Sequence, residues 1–395
     1  MAAAQRRQTA WPAVTIATLC GIAAAMNIGK LPITLPILRS EFGLSLREAG
    51  WLAAAFSTLA TASGILIGIM ADRVGAMRFC LFGLAVSIAG GLLGFAGTSA
   101  SWILVSRLIE GIGFLSVAVS GAALVTAATA PAQRGITLGI WSGYVPAGAG
   151  IAFLLSPILL DHGGWQGLWM LVLALLAISM TALIMQRKEY ATAVASHHAG
   201  MADIRSALHQ PAPWLLTLTF VAYSMQFYAV VTWLPTFLHE QRALAPGLVA
   251  LLSALVIIAN VPGTLAGGAL LHRHINRGRM IAAASLVMGL SGVGIFSEVM
   301  PDAVRYLCCL ILVGVGGIIP TAVLSSSLVL ASSPQQIGTL QGLYLQGSNL
   351  GQFIGIPIIA AIVSATGQWS AALYATASAA TLAFLLGLVI ARLGK

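Results

Sequence analysis

The chain has 395 residues, 59% of them hydrophobic and 7% charged, with a formal net charge of +9. A soluble domain carries about 25% charged residues because its surface must face water, so this composition excludes a water-soluble globular protein. The basic residues are scattered singly or in pairs rather than in long clusters, which also argues against a nucleic-acid partner.

Apolar runs between polar punctuation predict twelve spans. They centre near Ala24, Leu59, Ile88, Val117, Ala149, Leu175, Met225, Ile258, Met288, Gly316, Leu350 and Ala380. In hydrocarbon every backbone polar group needs an internal partner, so spans are helices or strands of a closed barrel. Barrel strands alternate apolar and polar residues, whereas these runs are apolar all round. Residues 306–391 contain no Asp, Glu, Lys or Arg at all. The expected fold is all-α and integral to the membrane: twelve transmembrane helices in two pseudo-symmetric six-helix halves. Residues 1–186 form the first half, 187–212 a polar cytoplasmic linker, and 213–395 the second half.

Gln5-Arg6-Arg7 precedes an apolar run reaching about Leu38, too long for the core of a cleavable signal. With the N-terminus inside, thirteen Lys and Arg fall in cytoplasmic segments, and only Arg39, Arg47, Arg242 and Arg305 fall outside. That bias obeys the positive-inside rule and predicts a multi-pass inner-membrane protein with both termini cytoplasmic. The halves echo each other. Leu35-Pro36 returns as Leu234-Pro235, Gly68…Asp72-Arg73 as Gly268…His272-Arg273, and Thr137-Leu138 as Thr339-Leu340, at nearly equal displacements. The four cysteines lie in apolar runs without metal or disulfide spacing.

Residues 68–78 read Gly68-Ile-Met-Ala-Asp72-Arg73-Val-Gly75-Ala-Met-Arg78. This resembles the signature loop of the major facilitator superfamily, between spans 2 and 3, with Met77 standing where a basic residue is usual. Arg107-Leu-Ile-Glu110-Gly111-Ile-Gly113 is similar to that superfamily's R-x-x-x-G-x-G motif, and Gly164-Trp165 fits the opening of its span 6. Ile140-Trp141-Ser142-Gly143, Gly148-x-Gly150, Pro157 and Thr232-Trp233-Leu234-Pro235 resemble the cyanate-permease-like branch. The Gly-Pro pair usual in span 5 of multidrug antiporters is absent. The resemblance implies a permease that rocks two halves about a central site, with Gly68, Asp72, Arg73 and Gly75 as its conformational switch. The branch implies uptake of small anions.

An ionisable residue inside a span is costly, and its default reading is functional. Three qualify: Lys30, Arg107 and Glu110. Lys30 either snorkels toward water or, with Asn27 and Pro32 nearby, faces the interior. Arg107 and Glu110, three apart on one helix, can pair. Together the three leave one positive charge, which suits an anion. The expected substrate-binding residues are Lys30, Arg107, Tyr144, Gln226, Trp233, Gln346 and Asn349, with Glu110 coupling a proton. No nucleotide loop, metal cluster or triad spacing appears, so neither enzyme activity nor a cofactor is expected. The expected partners are a small anionic solute, protons and lipid, on a monomer. Efflux of small hydrophobic compounds is the rival reading.

Overall fold

The computed structural model describes residues 8–190, 206, 209–332 and 336–393; the middle of the 187–212 linker lies outside these. The described residues are helical, with connecting turns. Ten stretches are long and apolar enough to cross a membrane, and one of them, Pro131–Met185, runs 55 residues and holds two crossings. Leu46–Val74 completes the twelve.

In chain order the spans are α1 (Trp11–Phe42), α2 (Leu46–Val74), α3 (Ala76–Phe95) and α4 (Ala100–Ala127). Next come α5 (Arg134–Ser142 with residues 144–163) and α6 (residues 164–185). The second half holds α7 (Pro211–Glu240), α8 (Pro246–His272), α9 (Arg277–Phe296), α10 (Asp302–Leu330), α11 (Gln336–Thr366) and α12 (Ala372–Arg392). Each predicted centre falls inside its helix.

Local chemistry sets the ends. Ser45 and Glu48 form a reciprocal capping box at the start of α2. Pro211 and Pro246 open α7 and α8, where a missing N–H costs nothing. Gly164 takes φ 58° and ψ −163°, a backbone that side chains rarely adopt, and so turns α5 into α6. Gly75 sits at φ 89° between α2 and α3 for the same reason.

The surface is inverted relative to a soluble protein. Ile158, Ile178 and Leu290 are each more than 60% exposed, while Lys30, Arg107 and Glu110 are at most 1% exposed. Contiguous exposed apolar surface of this kind belongs against lipid. The two halves repeat each other's packing: α3 on α4 returns as α9 on α10, and α2 on α4 as α8 on α10. Across the interface α2 packs on α11 and α5 on α8. The echo reaches single atoms. Gly111 of α4 lies against the Phe56 carbonyl of α2, and Gly314 of α10 lies against the Ala259 carbonyl of α8. The same displacement along the chain separates the two glycines and the two carbonyl residues.

The start of α1, the end of α4 and the turn after α6 share one face. The Ala10 N–H donates to the Ala128 carbonyl, and the Tyr190 hydroxyl donates to the Ala13 carbonyl. At the opposite, far end the halves are clamped. Arg39 of α1 pairs with Glu240 of α7, Trp51 meets Phe353 at 5.7 Å, and Gly50 abuts Pro357 and Ala360. At the terminus-bearing end α4 and α10 share no packed face among the described residues, and Ile136 and Ile140 of α5 are exposed. The molecule is shut at the far end.

Arg39→Gln is expected to change stability by less than about 1 kcal/mol, because exposed ion pairs contribute little. It should nevertheless raise the labelling rate of a cysteine placed at Trp233. An unchanged rate would remove the pair from the clamp.

Candidate functional site

The three intramembrane charges converge. Lys30 Nζ of α1 donates to Glu110 Oε1 of α4 at 2.5 Å, and Arg107 Nη1 donates to Glu110 Oε2. Arg107 Nη2 also donates to the Asn27 carbonyl at 2.7 Å. Aromatic rings complete the surroundings, with Lys30 Nζ 4.3 Å from the Trp169 ring and Arg107 4.4 Å from the Phe56 ring. Cations over ring faces are held by the ring quadrupole, more strongly where water is absent. Lys30 does not snorkel. It is fully buried.

Small residues make the convergence possible. A Cβ on Gly90 of α3 would lie 2.9 Å from Glu110 Cγ, and one on Gly94 would lie 2.7 Å from Trp169 Nε1. Gly111 brings α4 onto α2, and Gly113 brings it onto Ser87 and Gly83 of α3. The two glycines of the Arg107 motif are therefore helix contacts in two directions, the usual role of small residues between membrane helices. Unspent polar capacity lies beside the charges: both side-chain atoms of Asn27 and the Nε of Arg107 have no partner.

An aromatic layer adjoins Arg107. Phe56 packs on Phe114 at 5.4 Å, Phe114 on Tyr144 at 6.2 Å, and Tyr144 stacks on Trp141 at 4.5 Å. A second layer belongs to α7, where Tyr223, Phe227 and Tyr228 follow one another ring to ring. The Tyr223 hydroxyl accepts from Asn260 Nδ2 at 3.2 Å.

The structure thus brings Lys30, Arg107 and Glu110 together and places Tyr144 two rings from Phe56. It does not bring the second-half residues to them. Gln226 donates to the Ala222 carbonyl of its own helix and leaves Oε1 unpartnered. Asn349 donates to the Leu345 carbonyl. Gln346 packs against Gly64 of α2 with its oxygen unpartnered. Trp233 donates to the Ile356 carbonyl at 3.1 Å and lines a separate far-end cavity. Of the switch residues, Gly68 faces α11, where an added Cβ would lie 3.9 Å from the Gly338 carbonyl oxygen, Arg73 is exposed and Gly75 forms the turn. The Asp72 side chain lies outside the described residues. The sequence reading missed Phe56 and Trp169, because an aromatic residue in an apolar run carries no mark of the cation it will cover.

Two six-helix halves clamped at one end, with buried charge held inside one half, define a polytopic membrane transporter. The family model described as Major Facilitator Superfamily matches residues 17–356, and the chain belongs to that superfamily. It is 27% identical over 395 residues to a protein named a probable sulfoacetate transporter, from Cupriavidus necator, with 92% of this chain and 90% of the relative covered. It is 24% identical over 181 residues to a methyl viologen resistance protein of Salmonella typhimurium, covering 45% of this chain and 37% of that one. Among solved structures, a bacterial homologue of the human lysosomal transporter Spinster, described as inward-facing and unoccupied, matches with a TM-score of 0.74. Identity there is 16%, and 97% of each chain is covered.

Proposed function

We propose that this transporter carries a small organic anion across the inner membrane by alternating access, with both termini cytoplasmic as the charge bias suggests. The observation that carries this reading is the pairing of two buried cations with one carboxylate. A buried charge is expensive unless paired, and here Glu110 has two claimants. An anion reaching the site meets a net positive charge, and its own charge completes the pairing that Glu110 alone leaves short. The full-length similarity to a protein named for sulfoacetate transport supports the same reading.

Access requires motion, because Phe56, Trp169 and the α3 glycines cover the charges in this conformation. Helix α1 is built to bend beside Lys30. Pro32 and Pro36 lie inside it, and each removes a backbone hydrogen bond, the usual cause of a kink. Arg39 on the same helix holds the far-end clamp, so opening there would displace the segment that carries Lys30. An anion bound to Arg107 would also release Glu110 to take up a proton. Solute and proton would then favour each other's binding, reciprocally.

Lys30→Met is expected to weaken sulfoacetate binding at least tenfold, about 1.4 kcal/mol, in equilibrium titrations of the purified protein. A neutral amide analogue, bound weakly, should lose much less. Equal loss for the anion and the amide would assign Lys30 a purely structural role. Wild-type affinity in Lys30→Met would remove it from the site.

A further inference from the structure

A second cavity, of about 420 Å³, opens at the far end of the second half, away from the Lys30 cluster. Its volume lies in the range of about 300–1,000 Å³ typical of small-molecule pockets. Trp233, Leu252, Phe296, Tyr306, Ile359 and Trp369 supply much of the wall. Besides the arginines, three side chains on that wall carry an N–H or O–H, Trp233, Tyr306 and Trp369, and two of these hydrogens are already used. Trp233 Nε1 donates to the Ile356 carbonyl, and the Tyr306 hydroxyl donates to the Leu252 carbonyl at 2.9 Å. Cys309 adds only a weak donor. The interior therefore offers a guest little but apolar surface.

The rim differs in kind. Arg242 and Arg305 both stand over the Phe237 ring, at 5.1 and 5.5 Å from its centre. Asp302 serves them both: Arg242 holds it through Nε and Nη2 at 2.9 and 3.0 Å, and Arg305 Nη1 lies 3.6 Å away. Glu240, two residues before Arg242, is committed to Arg39. Two guanidiniums sharing one carboxylate leave the side chains that line this rim with a net positive charge above an apolar chamber.

We infer that this cavity binds a single-tailed anionic amphiphile, with its alkyl chain among Trp233, Phe296 and Trp369 and its anionic head on Arg242 and Arg305. A neutral polar solute would forfeit its hydrogen bonds inside, and a cation would be repelled at the rim. A free alkyl carboxylate and a lysophospholipid with an anionic headgroup share the required chemistry. The site stands apart from the transported solute's charges and does not depend on the function proposed for them.

The test uses the full chain in nanodiscs of phosphatidylcholine, titrated with 12-bromododecanoate, whose bromine quenches tryptophan fluorescence. Quenching should saturate, and Trp369→Phe should remove part of it. Arg305→Gln and Arg242→Gln should each raise the half-saturation concentration at least tenfold. On the unaltered protein 12-bromododecanol should bind at least tenfold more weakly than the carboxylate, a comparison that needs no variant to fold. Displacement by dodecanoate alone points to free carboxylates, and displacement by lysophosphatidylglycerol as well admits lipid; either supports the site. Lys30→Met should bind the probe like the wild type, which separates this outcome from that of the solute site. Equal affinity for the alcohol, or quenching untouched by both arginine variants and by Trp369→Phe, would overturn the inference.

Discussion

Glu110→Gln is expected to be the most damaging single substitution in the buried cluster, lowering stability by about 3–5 kcal/mol, the usual cost of removing one partner from a buried ion pair. The reason is arithmetic of charge. Glu110 accepts from both Lys30 and Arg107, so the amide leaves two buried cations with no counter-charge between them. Adding Lys30→Met to Glu110→Gln restores a net charge of one and should recover part of the loss. Residues in one network typically couple by about 0.5–3 kcal/mol, and the recovery should fall in that range. Unfolding of the purified variants by denaturant measures all three species. If Glu110→Gln is as stable as the wild type, or if the second substitution adds to the damage, the carboxylate is not the shared counter-ion.

Gly111→Val should come next, through sterics rather than charge. A Cβ at Gly111 runs into the backbone carbonyl of Phe56, and backbone cannot swing aside as a side chain can. Overpacking in a well-filled core costs about 1–3 kcal/mol and occasionally more; a clash with main chain belongs at the upper end. The consequence is also functional, because parting α2 from α4 carries the Phe56 ring away from Arg107. Gly268→Val is the control, since a Cβ there meets nothing within 4 Å. Matching losses at the two positions, read as unfolding midpoints, would show that helix contact at Gly111 is not what matters.

The far-end clamp and the buried cluster are joined by α1, which carries Arg39 at one end and Lys30 near its middle. Two prolines lie between them. On the function proposed above, such a helix would hold the clamp with one arrangement of Lys30 and release it with another. That is the kind of two-state element through which a solute site and a gate can bias one another.

How much of this was legible in advance follows from the physics of each feature. The twelve spans were, because lipid admits only residues that can face it and the sequence must declare them one after another. The half repeat was legible for a related reason, since duplicated halves keep the residues their shared contacts require. Gly111 and Gly113 were visible as a motif, but not which helix each one meets. Lys30, Arg107 and Glu110 were legible as a set, because a charge in an apolar run stands out whatever it touches. Composition also gave their sum of one positive charge.

The partition of Glu110 between two cations was not legible, because Lys30 lies 80 residues from it in the chain and pairing across helices depends on their rotation. The rings of Phe56 and Trp169 were likewise invisible as partners, since aromatic residues in a membrane span serve packing everywhere. Trp233 illustrates the same point from the other side. It is a polar-tipped aromatic in a resembling motif, yet tertiary packing spends its N–H on Ile356 and turns its ring toward the far-end cavity. That cavity's cationic rim, assembled from α7, the loop after it and the start of α10, left no sequence signal. The sequence alone determined what must lie in lipid and which charges must be hidden from it, because those are one-body costs paid residue by residue. Only the tertiary structure decided which hidden charge meets which, because that is a contact energy between helices whose register and rotation the local sequence does not encode.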